Sequence, residues 1–108
     1  MMIGDTMTIT AMKTEDIPAV TELEKQCFSQ PWSAQVLEAE LRNPNSIFLV
    51  AKQDEKLAGY VGMHRVLDEG YLFNVAADSS FRRQGVASAL MQRLLDYAKE
   101  TRLGFLTL

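Results

Sequence analysis

Between residues 81 and 88 the chain reads FRRQGVAS: two adjacent guanidinium groups, an amide side chain, a glycine, then small residues opening a helical pattern. A strand-like run, YLFNVAA (71–77), precedes it, and Val86, Leu90, Leu94 and Ala98 follow at i, i+4 spacing. The first amides of a helix lack internal acceptors, and the aligned peptide dipoles leave partial positive charge there. Gly85 lets a ligand approach the backbone, Ala87 and Ser88 keep the first turn uncrowded, and Arg82 and Arg83 bring charge to its mouth. These are the requirements of a pyrophosphate cradle. The residues fit the spacing [QR]-x-x-G-x-[GA] as Arg82-Arg83-Gln84-Gly85-Val86-Ala87, while G-x-G-x-x-G and G-x-x-x-x-G-K-[ST] do not occur. With average amino-acid usage a chain of this size shows that spacing by chance about one time in ten. Its place between a strand and a long amphipathic helix therefore carries the weight, and a basic loop capped by solvent is the alternative.

Other residues able to do chemistry are few. His64 is the single histidine, mid-strand, and no metal set can be built around it. Cys27 is the single cysteine, so no intramolecular disulfide can form, and its place on the apolar side of a helix reads as core and not nucleophile. Asp68 and Glu69 occupy a tight turn, where acids are common, and Trp32 reads as a packing residue beside a loop. The chain carries a net charge of −3, which excludes a nucleic-acid binder of the ordinary basic kind. No apolar run approaches the ~18 residues of a membrane span, and the N-terminus lacks a signal-peptide pattern. The expectation is a cytoplasmic protein without membrane or nucleic-acid partners.

The elements needed to hold the loop are legible from periodicity. MTITAM (7–12) alternates as a strand. KTEDIPAVTELEKQCF reads as a helix capped by Thr14, with Pro18 in its first turn and Ile17, Val20, Leu23 and Cys27 on one face. Ser33 is an N-cap for a second helix, with Trp32 and Leu37 as a hydrophobic staple, ending before Pro44. IFLVAK (47–52), LAGYVGMHRVL (57–67) and YLFNVAA (71–77) are strands joined by short turns, hence antiparallel neighbours. A helix from Gly85 to about Arg102 stops at Gly104, and FLTL begins a strand that a crossover of this length places parallel to its neighbour. The order β-α-α-β-β-β-α-β is an α/β fold with a mixed sheet, in one domain spanning 1–108. An apolar strand stopping at Leu108 leaves an open edge, so the expectation is that more of the fold comes after it or that a second copy pairs there.

The stretch VLDEGYLFNVAADSSFRRQGVASALMQRLLDYAKETRLGFLTL (66–108), supported by PWS (31–33), resembles the GNAT superfamily of acetyl-CoA-dependent N-acetyltransferases, and within it the RimI-like type that acetylates protein N-termini. The resemblance runs from Thr8 to the last residue. It implies acetyl-CoA as co-substrate, with the backbone of Val75 and Ala77 bonding the acetyl and pantetheine portions. The pyrophosphate would lie on the amides from Arg83 to Ser88, making Arg82, Arg83, Gln84, Gly85, Val86, Ala87 and Ser88 the cofactor-binding loop. It further implies that the family's glutamate base and tyrosine acid come after LTL, so no catalytic residue and no metal ligand is assigned within the 108 residues, and the domain is expected to be C-terminally truncated. The implied function is acetyl transfer to a primary amine, foremost a protein N-terminal α-amino group such as that of a ribosomal protein. The alternatives are an acetyl-CoA-binding half-domain without turnover, or an interaction fragment forming a homodimer through its C-terminal edge strand.

Overall fold

Five strands form one sheet in the order β1-β2-β3-β4-β5, with each neighbouring pair from β1 to β4 antiparallel and β5 parallel to β4. The structure, a computed structural model, describes residues 7–66, 69–81 and 84–100 and the backbone of 106–107. Along the chain these are β1 (Met7–Ala11), α1 (Ile17–Cys27), α2 (Ala34–Arg42), β2 (Ser46–Gln53), β3 (Lys56–Val66), β4 (Glu69–Ala77), α3 (Val86–Glu100) and β5 (Leu106–Thr107). Short 3-10 turns at Thr14–Asp16 and Ser79–Phe81 precede α1 and α3. The element order and the mixed sheet are those expected from periodicity.

The helices divide between the two faces of the sheet. Ile17, Val20 and Leu23 of α1 and Leu37 of α2 pack on Phe48, Val50, Tyr60 and Ala76. Val86, Leu90 and Leu94 of α3 pack on Ala51, Ala58, Val61 and Met63. Central β3 is buried on both faces, which is why LAGYVGM reads as a nearly continuous apolar run. The β2–β3 connection is a two-residue turn in which Asp54 and Glu55 both have positive φ, 51° and 68°, the backbone that matches the twist of a hairpin.

Local capping departs from expectation at one helix and agrees with it at the next. Asp16, and not Thr14, organises the entry to α1: its Oδ2 accepts the Lys13 N–H at 2.8 Å, and the helix begins only at Ile17 with Pro18 in its first turn. Asp16 also meets the Lys52 ammonium at 2.5 Å, which ties this turn to β2. Burial alone would raise the Asp16 carboxyl, but Lys52 and the Lys13 amide outweigh it and hold it below its ordinary value. Ser33 caps α2 as expected, accepting the Val36 N–H at 3.2 Å, and Trp32 and Leu37 share one core cluster. The helix α3 starts one residue later than expected, at Val86. The expected stop at Gly104 lies outside the described residues.

A bulge in β4 sets which way two neighbouring side chains face. The β3–β4 register steps from Gly62↔Asn74 to Met63↔Leu72, leaving Phe73 as an extra residue. Consecutive side chains then share one face: Phe73 packs against the α1–α2 core, and Asn74 reaches Glu24 of α1. Gly62 accommodates this, because a Cβ there would lie 2.5 Å from the Phe73 ring.

Candidate functional site

The loop singled out from sequence joins β4 to α3. Asp78 opens it: its backbone N–H reaches Ala58 O at 2.8 Å, while its side chain accepts from Ser80 N–H at 2.8 Å. Gln26 of α1 braces the same turn, accepting from the Ser79 N–H at 2.7 Å. Gly85 sits at φ 72°, a left-handed conformation that side chains resist. Its carbonyl accepts the Ala89 N–H at 2.9 Å, which makes Gly85 the residue capping α3. The amides of Val86, Ala87 and Ser88 consequently have no acceptor among the described residues. Arg82 and Arg83 lie outside the described residues.

A close approach between helix and sheet positions this helix start. Val86 is buried against β3 at Gly59, where a Cβ would come within 2.7 Å of Val86 Cγ1 and 2.6 Å of Ala76 O. Glycine at 59 therefore lets the first turn of α3 rest on the sheet. Gln84, Gly85 and Ser88 remain exposed and share a shallow groove of about 640 Å³ with Ile9, Arg93 and Asp96. Arg93, exposed on the outward side of α3, borders the same groove as the loop.

Val75 and Ala77 stand on the adjoining stretch of β4. The Asp78 N–H reaches across to β3, and polar groups alternate sides along a strand, so those of Val75 and Ala77 turn away from β3. On that side β5 pairs with β4 only at Gly70 and Tyr71 among the described residues. The Ala77 carbonyl takes a weak bond from Cys27 Sγ at 3.6 Å. Cys27 is thus an exposed residue at the end of α1, not the core residue its spacing suggested.

Sequence reasoning missed a second constellation, built around Glu24. This side chain of α1 is 1% exposed. One carboxylate oxygen accepts the Trp32 backbone N–H at 2.8 Å; the other accepts the Tyr60 hydroxyl and Asn74 Nδ2, the latter at 3.1 Å. Asn74 also donates to the Tyr60 oxygen at 2.9 Å. Burial first, and then the hydrogen bond to Glu24, push the Tyr60 phenol far up, so it remains a donor. Glu24 and Asn74 border an open pocket of about 210 Å³ that Phe28, Ser29, Gln30 and Trp32 also line. A glutamate in an amphipathic helix carries no sign of burial in its own sequence, and Asn74 faces it only because of the bulge. PWS, with Trp32, is the one sequence signal pointing here.

His64 is absorbed locally. Its Nε2 lies 2.5 Å from Glu40 Oε1, and its ring centroid lies 4.6 Å from that of Phe73. The His64 bond holds the Glu40 carboxyl below its ordinary value, helped by the Ser46 hydroxyl against the effect of burial.

Comparison with known proteins places this geometry. The family model for the acetyltransferase (GNAT) family matches residues 17–108. The [ribosomal protein bS18]-alanine N-acetyltransferase of Escherichia coli K12 is 34% identical over 89 residues, covering 82% of this chain and 60% of that relative. A putative enzyme of the same description from Bacillus subtilis is 34% identical over 90 residues. The crystal structure of the Escherichia coli ribosomal-protein-S18-alanine N-acetyltransferase superposes with a TM-score of 0.83 at 30% identity, covering 91% of this chain and 63% of that one. A Thermoplasma acidophilum N-acetyltransferase solved with coenzyme A shares the fold at a TM-score of 0.79 and 15% identity. The chain spans about 60% of the length of the curated relatives it matches. By the extent of the family match and the shared architecture, the chain belongs to the GNAT acetyltransferase family.

Proposed function

We propose that the chain is the coenzyme A-binding part of a single GNAT domain that transfers acetyl from acetyl-CoA to a protein N-terminal α-amino group. The observation that carries this reading is the start of α3. Gly85 at φ 72° exposes three successive amides without acceptors among the described residues, next to a stretch of β4 where the polar groups of Val75 and Ala77 turn away from β3. A diphosphate fits the first, because it needs convergent N–H donors, a positive helix end and no obstructing Cβ. An extended amide-bearing arm fits the second, since it can bond along an open strand edge. In this reading Gln84, Gly85, Val86, Ala87 and Ser88 hold the pyrophosphate with Arg82 and Arg83, and Val75 and Ala77 bond the arm and the acetyl group. Bound acetyl-CoA supplies an activated thioester carbonyl. The Val75 N–H is the donor we assign to the oxygen that gains negative charge as the amine nitrogen bonds to carbon.

The acceptor class rests on the named activity of the relatives and on chemistry. An α-amino group with pKa about 7.7–8.0 is roughly 10–15% neutral at pH 7, against under about 0.1% for a lysine. A site that binds amines without strongly deprotonating them therefore prefers chain N-termini. An assembly reading stands beside this one: β5 occupies an edge of the sheet order, and two copies would pair there. Light scattering at two concentrations separates a monomer from that dimer.

Titration calorimetry with coenzyme A tests the binding reading. Saturable heat is expected for the chain, and Gly85→Glu should abolish it, because that change puts a side chain at positive φ and a like charge into the cradle. Absence of binding at millimolar ligand overturns it. Thiol release with an alanine-initiated peptide then distinguishes an enzyme from a binding module without turnover.

A further inference from the structure

Among the described residues β1 pairs on one side alone, with β2, and it stands at the end of the sheet order. Which of its backbone groups face outward follows from the register. Met12, just past β1, donates its N–H to Phe48 O at 3.0 Å, continuing the line of the Thr8↔Lys52 and Thr10↔Val50 pairs. In an antiparallel ladder, hydrogen-bonded pairs alternate with unbonded ones. Thr8, Thr10 and Met12 therefore turn their N–H and C=O groups to β2, and Met7, Ile9 and Ala11 turn theirs outward.

Those outward groups are spaced evenly about Ile9. A second copy of β1, antiparallel and related by a two-fold axis at that position, meets every one of them. Ile9 exchanges both backbone bonds with Ile9 of the second copy, and Met7 does so with Ala11 of the second copy. The same strand is thus its own complement.

The side chains agree with that pairing. β1 reads MTITA, without charge or proline, whereas edges that resist pairing commonly carry one or the other. Two copies therefore bring no like charges together along the strand, although the chain as a whole carries −3. Thr8 and Thr10 are exposed on the face opposite α3. Across the axis Thr8 of one copy opposes Thr10 of the other, a favourable cross-strand pair. Ile9 points to the α3 side and borders a groove of about 400 Å³ with the half-buried Ile47, Leu49 and Tyr97. Pairing sets a second isoleucine beside it and covers more of that apolar surface.

We propose that β1 is a self-association edge, through which two copies of this chain join their sheets about a two-fold axis at Ile9. The surface is independent of the acetyl-transfer reading and lies at the opposite end of the sheet order from β5. One five-residue strand from each copy makes a small interface, so the dimer is weak and reversible.

Sedimentation equilibrium from about 10 µM to about 1 mM covers the range in which such interfaces fill. A mean mass that rises with concentration toward that of two chains is expected. Two exposed positions then test the register. Thr8→Glu with Thr10→Glu places like charges opposite each other and should weaken association roughly tenfold or more. Thr8→Glu with Thr10→Lys places opposite charges there, and should associate as tightly as the unaltered chain or more so. The two variants differ only at position 10, so a general effect of altering β1 would appear in both. Ala11→Pro is a further check, because it removes an N–H that faces the second copy and none that serves β2. It too should weaken association. A mass that stays at one chain throughout, equal weakening in both paired variants, or full association in Ala11→Pro overturns the proposal. So does a dimer that none of the variants alters, which would place association at another edge such as β5.

Discussion

Single residues carry most of the electrostatic organisation. Asp16 anchors the entry to α1 by taking both the Lys13 amide and the Lys52 ammonium, and its carboxyl sits below its ordinary value of 3.8. Glu40, bonded to His64 and Ser46, sits below 4.5 for the same kind of reason. A carboxyl with a depressed folded pKa contributes stability that is present above its unfolded value and lost as pH falls through the folded one. Urea midpoints should therefore hold between about pH 5 and 8 and decline below about pH 4. Lys52 is shifted upward by Asp16, so its contribution is present below 10.5 and is lost only as pH rises beyond that. Asp16→Asn should flatten the acid limb and cost about 1–3 kcal/mol at pH 7, because the buried Asp16 carboxylate makes charge-assisted bonds to the Lys13 amide and the Lys52 ammonium that a neutral amide weakens. An unchanged acid limb in that variant would remove Asp16 from this account.

At the scale of elements, the loop depends on how closely α3 meets β3. Gly59 is the contact: no side chain fits between Val86 and Ala76 O. Gly59→Ala should cost about 1–3 kcal/mol by overpacking, visible as a lower denaturant midpoint. It should also weaken coenzyme A binding, since the amides of Val86 to Ser88 move with the helix start. Full affinity with lowered stability would show that the loop keeps its shape without this contact. The bulge at Phe73 works similarly on the opposite face, turning Phe73 toward Trp32 and Asn74 toward Glu24.

For the molecule as a whole, ligand binding and folding are linked. The proposed coenzyme A site draws on β4, the loop after it and α3, and β3 supports it from beneath, so the unfolded chain has no counterpart of the site. Coenzyme A at about 100 times its dissociation constant should add about 2.7 kcal/mol of stability. For a domain near this size that raises the melting temperature by about 10 °C or more. Scanning calorimetry with and without the ligand measures it, and Gly85→Glu should show no shift. An equal shift in Gly85→Glu would locate binding elsewhere.

The sequence by itself determined the element order, the identity of the β4–α3 loop and the resemblance it carries. Each rests on local periodicity or on a motif of adjacent residues, such as Ser33 before α2 or Gly85 before α3. Only the tertiary structure decided which face each β4 side chain takes, because one extra residue at Phe73 breaks the alternation that sequence reading assumes. It also decided that Gly59 is needed for contact with Val86, and that Arg93 borders the loop. The same holds for Cys27, whose helical spacing matches its buried neighbours but whose place at the end of α1 leaves it exposed. Glu24 shows the reason most plainly. Residues 24, 60 and 74 come from a helix and two strands, and a shared hydrogen-bond network between them exists only once those elements are packed.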